Sequence, residues 1–270
     1  MKISIIGLGW LGEPLADALL NKGHSVKGTT TSVQKSESLT QSGYENIMLK
    51  FSPHPEGVGY QQIFDADILV VNIPPRTKTA NPTFHPEQIK FIKELVVQKK
   101  VAKVIYTSAT SVYPNENQEA KETDQLTIGN TGNRALFDAE KILWKDKDYD
   151  LTVVRFGGLL GVDRVPGKYF SGKDNVEGGA PVNYIHRDDA VRLICWIIEK
   201  GLWNETFNGV TPLHPSRREV YEKNAAELGF PPPKSYDVSG AKPWKMISGE
   251  KILSTGFEFV IPNPLDFWYE

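Results

Sequence analysis

Residues 2–22 read KISIIGLGWLGEPLADALLNK, and the order of apolar runs and glycines in this stretch decides the architecture. Ile3, Ile5 and Ile6 belong to a compact apolar run that reads as a buried strand. Residues 13–22 place apolar side chains at helical spacing. Between them, Gly7-Leu8-Gly9-Trp10-Leu11-Gly12 is a GxGxxG turn. The first glycine permits a tight turn, the second lets a pyrophosphate approach the backbone, and the third lets helix and strand pack closely. The helix N-terminus then faces the phosphates. An isolated glycine pattern predicts only a tight turn. The intact strand–turn–helix context predicts a dinucleotide site that uses Gly7, Gly9, Trp10, Leu11 and Gly12.

The same alternation continues along the chain. Strands are predicted over 24–27, 47–51, 67–73, 101–106, 151–156 and 205–210. Helices are predicted over 87–99, with Pro86 as first residue, over 133–145 and 188–200, and over 217–228, which stops at Gly229 and Pro231-Pro232-Pro233. The run 67–73 (DILVVNI) is nearly continuous in apolar residues, as a strand covered on both faces should be. Alternating strands and helices imply an α/β fold, a doubly wound parallel sheet of the Rossmann type with right-handed crossovers. After Phe156 the regularity fades, and 157–179 reads as loop. The expected organisation is a dinucleotide-binding core over 1–160 and a small C-terminal substrate lobe over 161–270, with 181–210 returning to the core.

Composition narrows the function. The 270 residues are 40% hydrophobic and 24% charged, with 31 Lys and Arg against 33 Asp and Glu, a formal net charge of −2. That balance argues against a generic nucleic-acid binder or a basic membrane-surface protein. One cysteine, Cys195, can form neither an internal disulfide nor a Cys-based zinc site, so a reducing compartment fits. No stretch has the roughly 18–20 apolar residues that cross a bilayer. The N-terminal apolar run is broken by glycines too early for a signal peptide. The expectation is a cytoplasmic protein with a small-molecule substrate, no nucleic-acid or membrane partner and no metal; a homodimer is left open.

The end of the second strand bears on cofactor choice. An NAD site usually places Asp or Glu there to hold the ribose 2′-hydroxyl. Here the stretch is Gly28-Thr29-Thr30-Thr31-Ser32, with Lys35 close behind. Thr30, Thr31, Ser32 and Lys35 can hold a 2′-phosphate that a carboxylate would repel. This favours NADP over NAD.

Ligands of open α/β sheets lie beyond the carboxyl ends of the strands. That selects Ile73, Pro74 and Pro75, the stretch 107–113 (TSATSVY) with Thr107 and Ser108, and Phe156 and Gly157. With the glycine turn, the segments VIYTSATSVYP at 104–114, VVRFGGLLG at 153–161 and PVNYIHRDDAV at 181–191 make the chain resemble the extended short-chain dehydrogenase/reductases, the NAD-dependent epimerase/dehydratase family. The resemblance covers roughly the first 210 residues. It implies a Rossmann core, bound NAD(P) and a C-terminal lobe that often receives a nucleotide-sugar.

Working members of that family carry a Ser or Thr after the fifth strand and a Tyr and Lys at YxxxK spacing on the next helix. In this sequence the hydroxyl position falls on Ala109. The helix region 130–136 (NTGNRAL) has neither Tyr nor Lys at that spacing. A YxxxK string at 169–173 contains a glycine and reads as coincidence. The chain therefore looks like an atypical member that keeps the cofactor motifs and lacks the YxxxK pair. Ser111 and Tyr113 are the best remaining catalytic hydroxyls. Tyr113 matches a family tyrosine that usually lines the substrate site, and the resemblance puts His186 on the substrate side.

Two functions follow. One is an NAD(P)-dependent oxidoreductase or epimerase acting on a small polar substrate such as a nucleotide-sugar. The other is a non-catalytic NAD(P)-binding sensor or regulator. A 6-phosphogluconate or hydroxy-acid dehydrogenase also starts with GLGxxG, but too little helix follows Val210 for its all-helical second domain. Asp188 and Asp189 read as acids at a helix start, and His54 and His85, next to prolines, as surface residues.

Overall fold

The computed structural model describes residues 1–75, 81–237, 239–240 and 242–269. Seven strands form one sheet: β1 (Lys2–Ile6), β2 (Ser25–Thr30), β3 (Glu45–Met48), β4 (Ile68–Val71), β5 (Lys103–Ala109), β6 (Asp150–Phe156) and β7 (Glu205–Gly209). Their spatial order is β7-β6-β5-β4-β1-β2-β3. The strands run parallel, with Ile5 opposite Gly28 on one side and Val70 on the other. Six helices accompany them: α1 (Gly12–Asn21), α2 (Val33–Gln41), α3 (Phe84–Lys99), α4 (Arg134–Trp144), α5 (Arg187–Lys200) and α6 (Arg217–Leu228). This is the doubly wound Rossmann arrangement. The strand order reverses between β1 and β4, and the ends of those two strands mark the position where such sheets bind ligands.

Burial follows the sequence pattern. Ile68, Leu69, Val70 and Val71 are each at most 1% exposed, as are Ile3, Ile5 and Ile6. Helix α4 starts where Asn133 accepts the Leu136 N–H at 3.3 Å. The capping box of Ser216 and Glu219 opens α6, and Gly229, at φ +70°, closes it. Three local expectations differ from the structure. Helix α2 was not anticipated, because only Leu39 of its residues is buried and no apolar stripe announces it. Helix α3 begins at Phe84, so Pro86 is its third residue, still within the first turn where a missing N–H breaks no helical bond. His85 is fully buried, not on the surface. Its imidazole contacts Tyr106 Oη at 2.7 Å and Gln88 Oε1 at 3.2 Å, while Gln88 donates to the Phe51 carbonyl at 2.9 Å.

The chain divides into two compact units. The first comprises Met1–Val112, Leu126–Arg155 and Val191–Thr206; the second comprises Tyr113–Gln125, Phe156–Ala190 and Phe207–Glu270. Tyr113–Gln125 belongs with the second unit because its strand Gln118–Ala120 pairs with Lys245–Ile247. The region 157–179, read as loop, contains a strand at Gly158–Leu160 that pairs with Tyr184–His186 and a short helix at Pro166–Phe170. Val238, Ala241 and Glu270 of the expected C-terminal lobe lie outside the described residues.

Candidate functional site

In the first unit, the turn between β1 and α1 is braced by the neighbouring strands. The Gly7 N–H donates to Thr29 Oγ1 at 3.0 Å, and the Leu8 N–H donates to the Thr29 carbonyl at 2.7 Å. Asn72, one residue beyond β4, donates its side-chain amide to the Gly7 carbonyl at 3.1 Å. The Thr107 hydroxyl lies 3.2 Å from both Asn72 Oδ1 and the Val71 carbonyl. Thr107 is thereby part of the support of the turn, two strands away from it.

The three glycines have different physical reasons. Gly7 has φ +108°, and a Cβ there would stand 2.4 Å from the Asn72 carbonyl oxygen. A Cβ at Gly12 would stand 2.1 Å from the Gly7 carbonyl oxygen. Both contacts are with backbone, so the fold itself demands these two glycines. Gly9 is exposed, and nothing lies within 4 Å of where its Cβ would be. The fold gives no reason for glycine there; a ligand lying against the backbone does. No side chain caps the start of α1, which follows directly. Open backbone beside an uncapped helix N-terminus fits a pyrophosphate. Trp10 is half-buried and Leu11 is 4% exposed, so of these two only Trp10 offers surface to a ligand.

At the end of β2 the expected residues are together. Thr30 Oγ1 accepts the Ser32 N–H at 3.4 Å, Thr31 is exposed, and Ser32 caps α2 by accepting the Lys35 N–H at 3.3 Å. The Lys35 ammonium lies 2.6 Å from a Glu13 carboxylate oxygen in the first turn of α1. Beyond β4, Ile73 and Pro75 are half-buried and Pro74 is exposed.

Ser108 faces inward. Its hydroxyl donates to Glu140 at 2.6 Å, and Glu140 is paired with Arg155, whose Nη2 lies 2.7 Å from Oε2. Glu140 and Arg155 are 4% and 8% exposed. This network ties β5, α4 and β6 together. Ser111 is exposed, and its Oγ accepts from Asn133 Nδ2 at 3.2 Å. Because Asn133 Oδ1 is already engaged by the Leu136 N–H, the amide is fixed and the Ser111 proton points elsewhere. Helix α4 contains no tyrosine.

The remaining expected residues belong to the second unit. Tyr113 is fully buried, and its hydroxyl donates to Asn208 Oδ1 at 2.9 Å. Phe156 is 2% exposed, and Gly209 leaves room for its ring, since a Cβ there would stand 2.5 Å from it. Gly157 donates to the Gly209 carbonyl at 3.0 Å. His186 is fully buried against Phe267 and Trp268. Its Nδ1 accepts the Asp188 N–H at 3.3 Å and its Nε2 lies 3.2 Å from the Trp268 carbonyl. These partners fix the neutral tautomer with the proton on Nε2. Burial pushes its pKa down, opposed by the Asp188 charge. Asp189 is fully buried and accepts the N–H groups of Val260 and Ile261 at 3.0 and 2.9 Å. His186 and Asp189 thus fasten the C-terminal segment.

Thr29, Asn72 and Glu13 are the site residues that sequence reasoning missed. Asn72 carried a signal: it is the one uncharged polar residue within the apolar run 67–73. Among the described residues, no group of three or more His, Cys, Asp and Glu side chains is placed to hold a metal, and no helix is long and apolar enough to cross a membrane.

Comparison with known proteins places this geometry. Residues 2–126 match the model of the NAD binding domain of 6-phosphogluconate dehydrogenase. The whole chain superimposes on UDP-N-acetylglucosamine 4-epimerase from Bacillus cereus with a TM-score of 0.79 at 15% identity, covering 98% of this chain and 96% of the other. A human epimerase family protein solved with NADPH gives 0.74 at 16% identity, covering 98% and 96%. The fold is therefore the Rossmann-type α/β fold that these epimerase-family structures have. The chain belongs to the family of Protein YeeZ of Escherichia coli K12, with which it is 30% identical over 267 residues, 98% of this chain and 97% of that protein.

Proposed function

We propose that the protein binds NAD(P) at the β1–α1 turn and acts as an oxidoreductase or epimerase on a small polar substrate, with nucleotide-sugars as the first class to screen. The observation that carries this reading is Gly9, a glycine with open space where its side chain would be, between two glycines that the fold requires. When bound, the nicotinamide supplies hydride chemistry. The chain's own part is to receive the pyrophosphate against the backbone of Gly9 and Trp10 and to keep Gly7 in place through Thr29 and Asn72.

NADP is the proposed preference. Thr30, Thr31 and Ser32 put hydroxyls and no carboxylate at the end of β2, and Lys35 supplies a cation nearby. The Glu13 pair moderates that cation, so Lys35 contributes less than an unpaired lysine would. We assign Ser111 as the hydroxyl that donates a hydrogen bond to substrate, because its oxygen is already occupied by Asn133 while its proton is available. The buried Tyr113 hydroxyl, donated to Asn208, supports a packing role over proton transfer.

That same burial, with the absence of tyrosine from α4, favours a second reading: a cofactor-binding sensor without turnover. Titration with NADPH and NADH, followed by fluorescence and thermal shift, tests the binding that both share. Tighter NADPH binding supports the hydroxyl–lysine pocket, NADH preference overturns it, and binding of neither removes the cofactor reading. Any NAD(P)-dependent turnover of a nucleotide-sugar excludes the sensor.

A further inference from the structure

Lys245 occupies an unusual position within the second unit. Its short strand Lys245–Ile247 runs parallel to Gln118–Ala120, with Lys245 opposite Gln118 and Ile247 opposite Ala120. Alternation along a strand puts Lys245 on the same face as Ile247, which is fully buried, as is Ala120. The Asn183 side chain clamps the backbone on either side: Nδ2 donates to the Lys245 carbonyl at 2.9 Å, and Oδ1 accepts the Ile247 N–H at 2.8 Å. A lysine stem at a surface ordinarily carries its charge out to water. Here the stem turns inward, and Nζ donates to the Tyr113 carbonyl at 2.5 Å.

Tyr113 is itself immobilised. Its hydroxyl is held by Asn208, whose Nδ2 donates to the Ser248 carbonyl at 3.0 Å and whose N–H donates to Glu122 at 2.7 Å. Lys245 is half-buried, and among the described residues no carboxylate pairs with it. Burial alone pushes its amine down to about 8, with no neighbouring charge opposing the shift. A half-buried ammonium that meets one neutral carbonyl bears a desolvation cost without the return an opposite charge would give. It also keeps two donors for another group. An oxyanion supplies both the charge and the acceptors.

We propose that Lys245 is an anion-binding residue of the second unit, taking a carboxylate or phosphate oxygen of a ligand while the Tyr113 carbonyl orients the amine. This goes beyond the enzyme reading above and does not depend on it. Its test uses no cofactor, so the two can fail separately.

The experiment is trace acetylation of the full-length protein with mass-spectrometric readout of each lysine, in inorganic phosphate, in malonate and in chloride at equal ionic strength. Acetylation of Lys245 should fall several-fold in phosphate or in malonate, while the exposed Lys99 and Lys234 are unaffected. Protection by phosphate identifies a phosphate-bearing ligand, and protection by malonate a carboxylate. The protecting anion should also raise the melting temperature of the wild type and of Lys245→Arg but not of Lys245→Met. Equal labelling of Lys245 in all three salts, a uniform fall at every lysine, or an anion-induced shift retained in Lys245→Met overturns the proposal.

Discussion

Asn72 and Gly7 are joined across the switch point of the sheet: the Asn72 side-chain amide donates to the Gly7 carbonyl at 3.1 Å. This bond connects the end of β4 to the first glycine of the turn, and Thr107 extends the brace to β5. Asn72→Ala removes the donor and leaves the Gly7 carbonyl without that partner. A lost hydrogen bond at a partly buried group costs about 1–3 kcal/mol. The expected result is a lower denaturation midpoint together with weaker NADPH binding. Unchanged cofactor affinity would show that the brace does not shape the turn.

The Glu13–Lys35 pair at 2.6 Å sets a prediction for cofactor choice. Glu13→Gln leaves Lys35 without its acid and should raise the affinity for NADPH relative to NADH. Lys35→Met should lower the same ratio. Each effect should be modest, within about tenfold, because both side chains are partly exposed and salt screens them. The ratio is read from paired titrations, and a loss of affinity for both cofactors together would assign the pair to folding instead.

His85 predicts the acid side of the stability profile. Burial lowers its pKa from 6.5 to about 4, while the Gln88 hydrogen bond opposes the shift. The folded state keeps the ring neutral where the unfolded chain takes up a proton. Stability from this group is therefore complete above pH 6.5 and declines as pH falls toward 4. The slope reaches at most about 1.4 kcal/mol per pH unit for one proton. Urea denaturation across that window should give a shallower slope for His85→Gln than for wild type. Identical slopes would assign the acid sensitivity to other groups.

Glu140 and Arg155 predict a stability effect with little bearing on chemistry. Removing one member of a buried ion pair costs about 3–5 kcal/mol, since the other charge stays buried without compensation. Glu140→Ala also deprives Ser108 of its acceptor. Chemical denaturation should show this large loss. Ser108→Ala should be far milder and should leave cofactor binding intact.

The fold was readable because its signals are local: apolar runs for β1 and β4, helical spacing in α1 and α4, and glycine punctuation between them. Helix α2 carried no such signal, since Leu39 alone is buried and Ser32 resembles any turn serine. The glycine turn was readable for the same local reason, but its support was not. Asn72 meets Gly7 across 65 positions, and Tyr113 meets Asn208 across 95. A tyrosine at a strand end has the same local pattern whether its hydroxyl faces a ligand or a buried asparagine. His85 and His186 follow the same logic, because the partners that bury them lie on other segments.

The central claim is that the open space at Gly9 belongs to a dinucleotide. It is tested most directly by comparing Gly9→Ala with Gly12→Ala for melting temperature and NADPH binding. A Cβ at Gly9 meets nothing within 4 Å, whereas one at Gly12 would stand 2.1 Å from a backbone oxygen. The account predicts that Gly9→Ala melts within a few degrees of wild type, with about 1 kcal/mol or less of change, and loses most NADPH affinity, while Gly12→Ala is strongly destabilised. Wild-type NADPH affinity in a well-folded Gly9→Ala variant would contradict it.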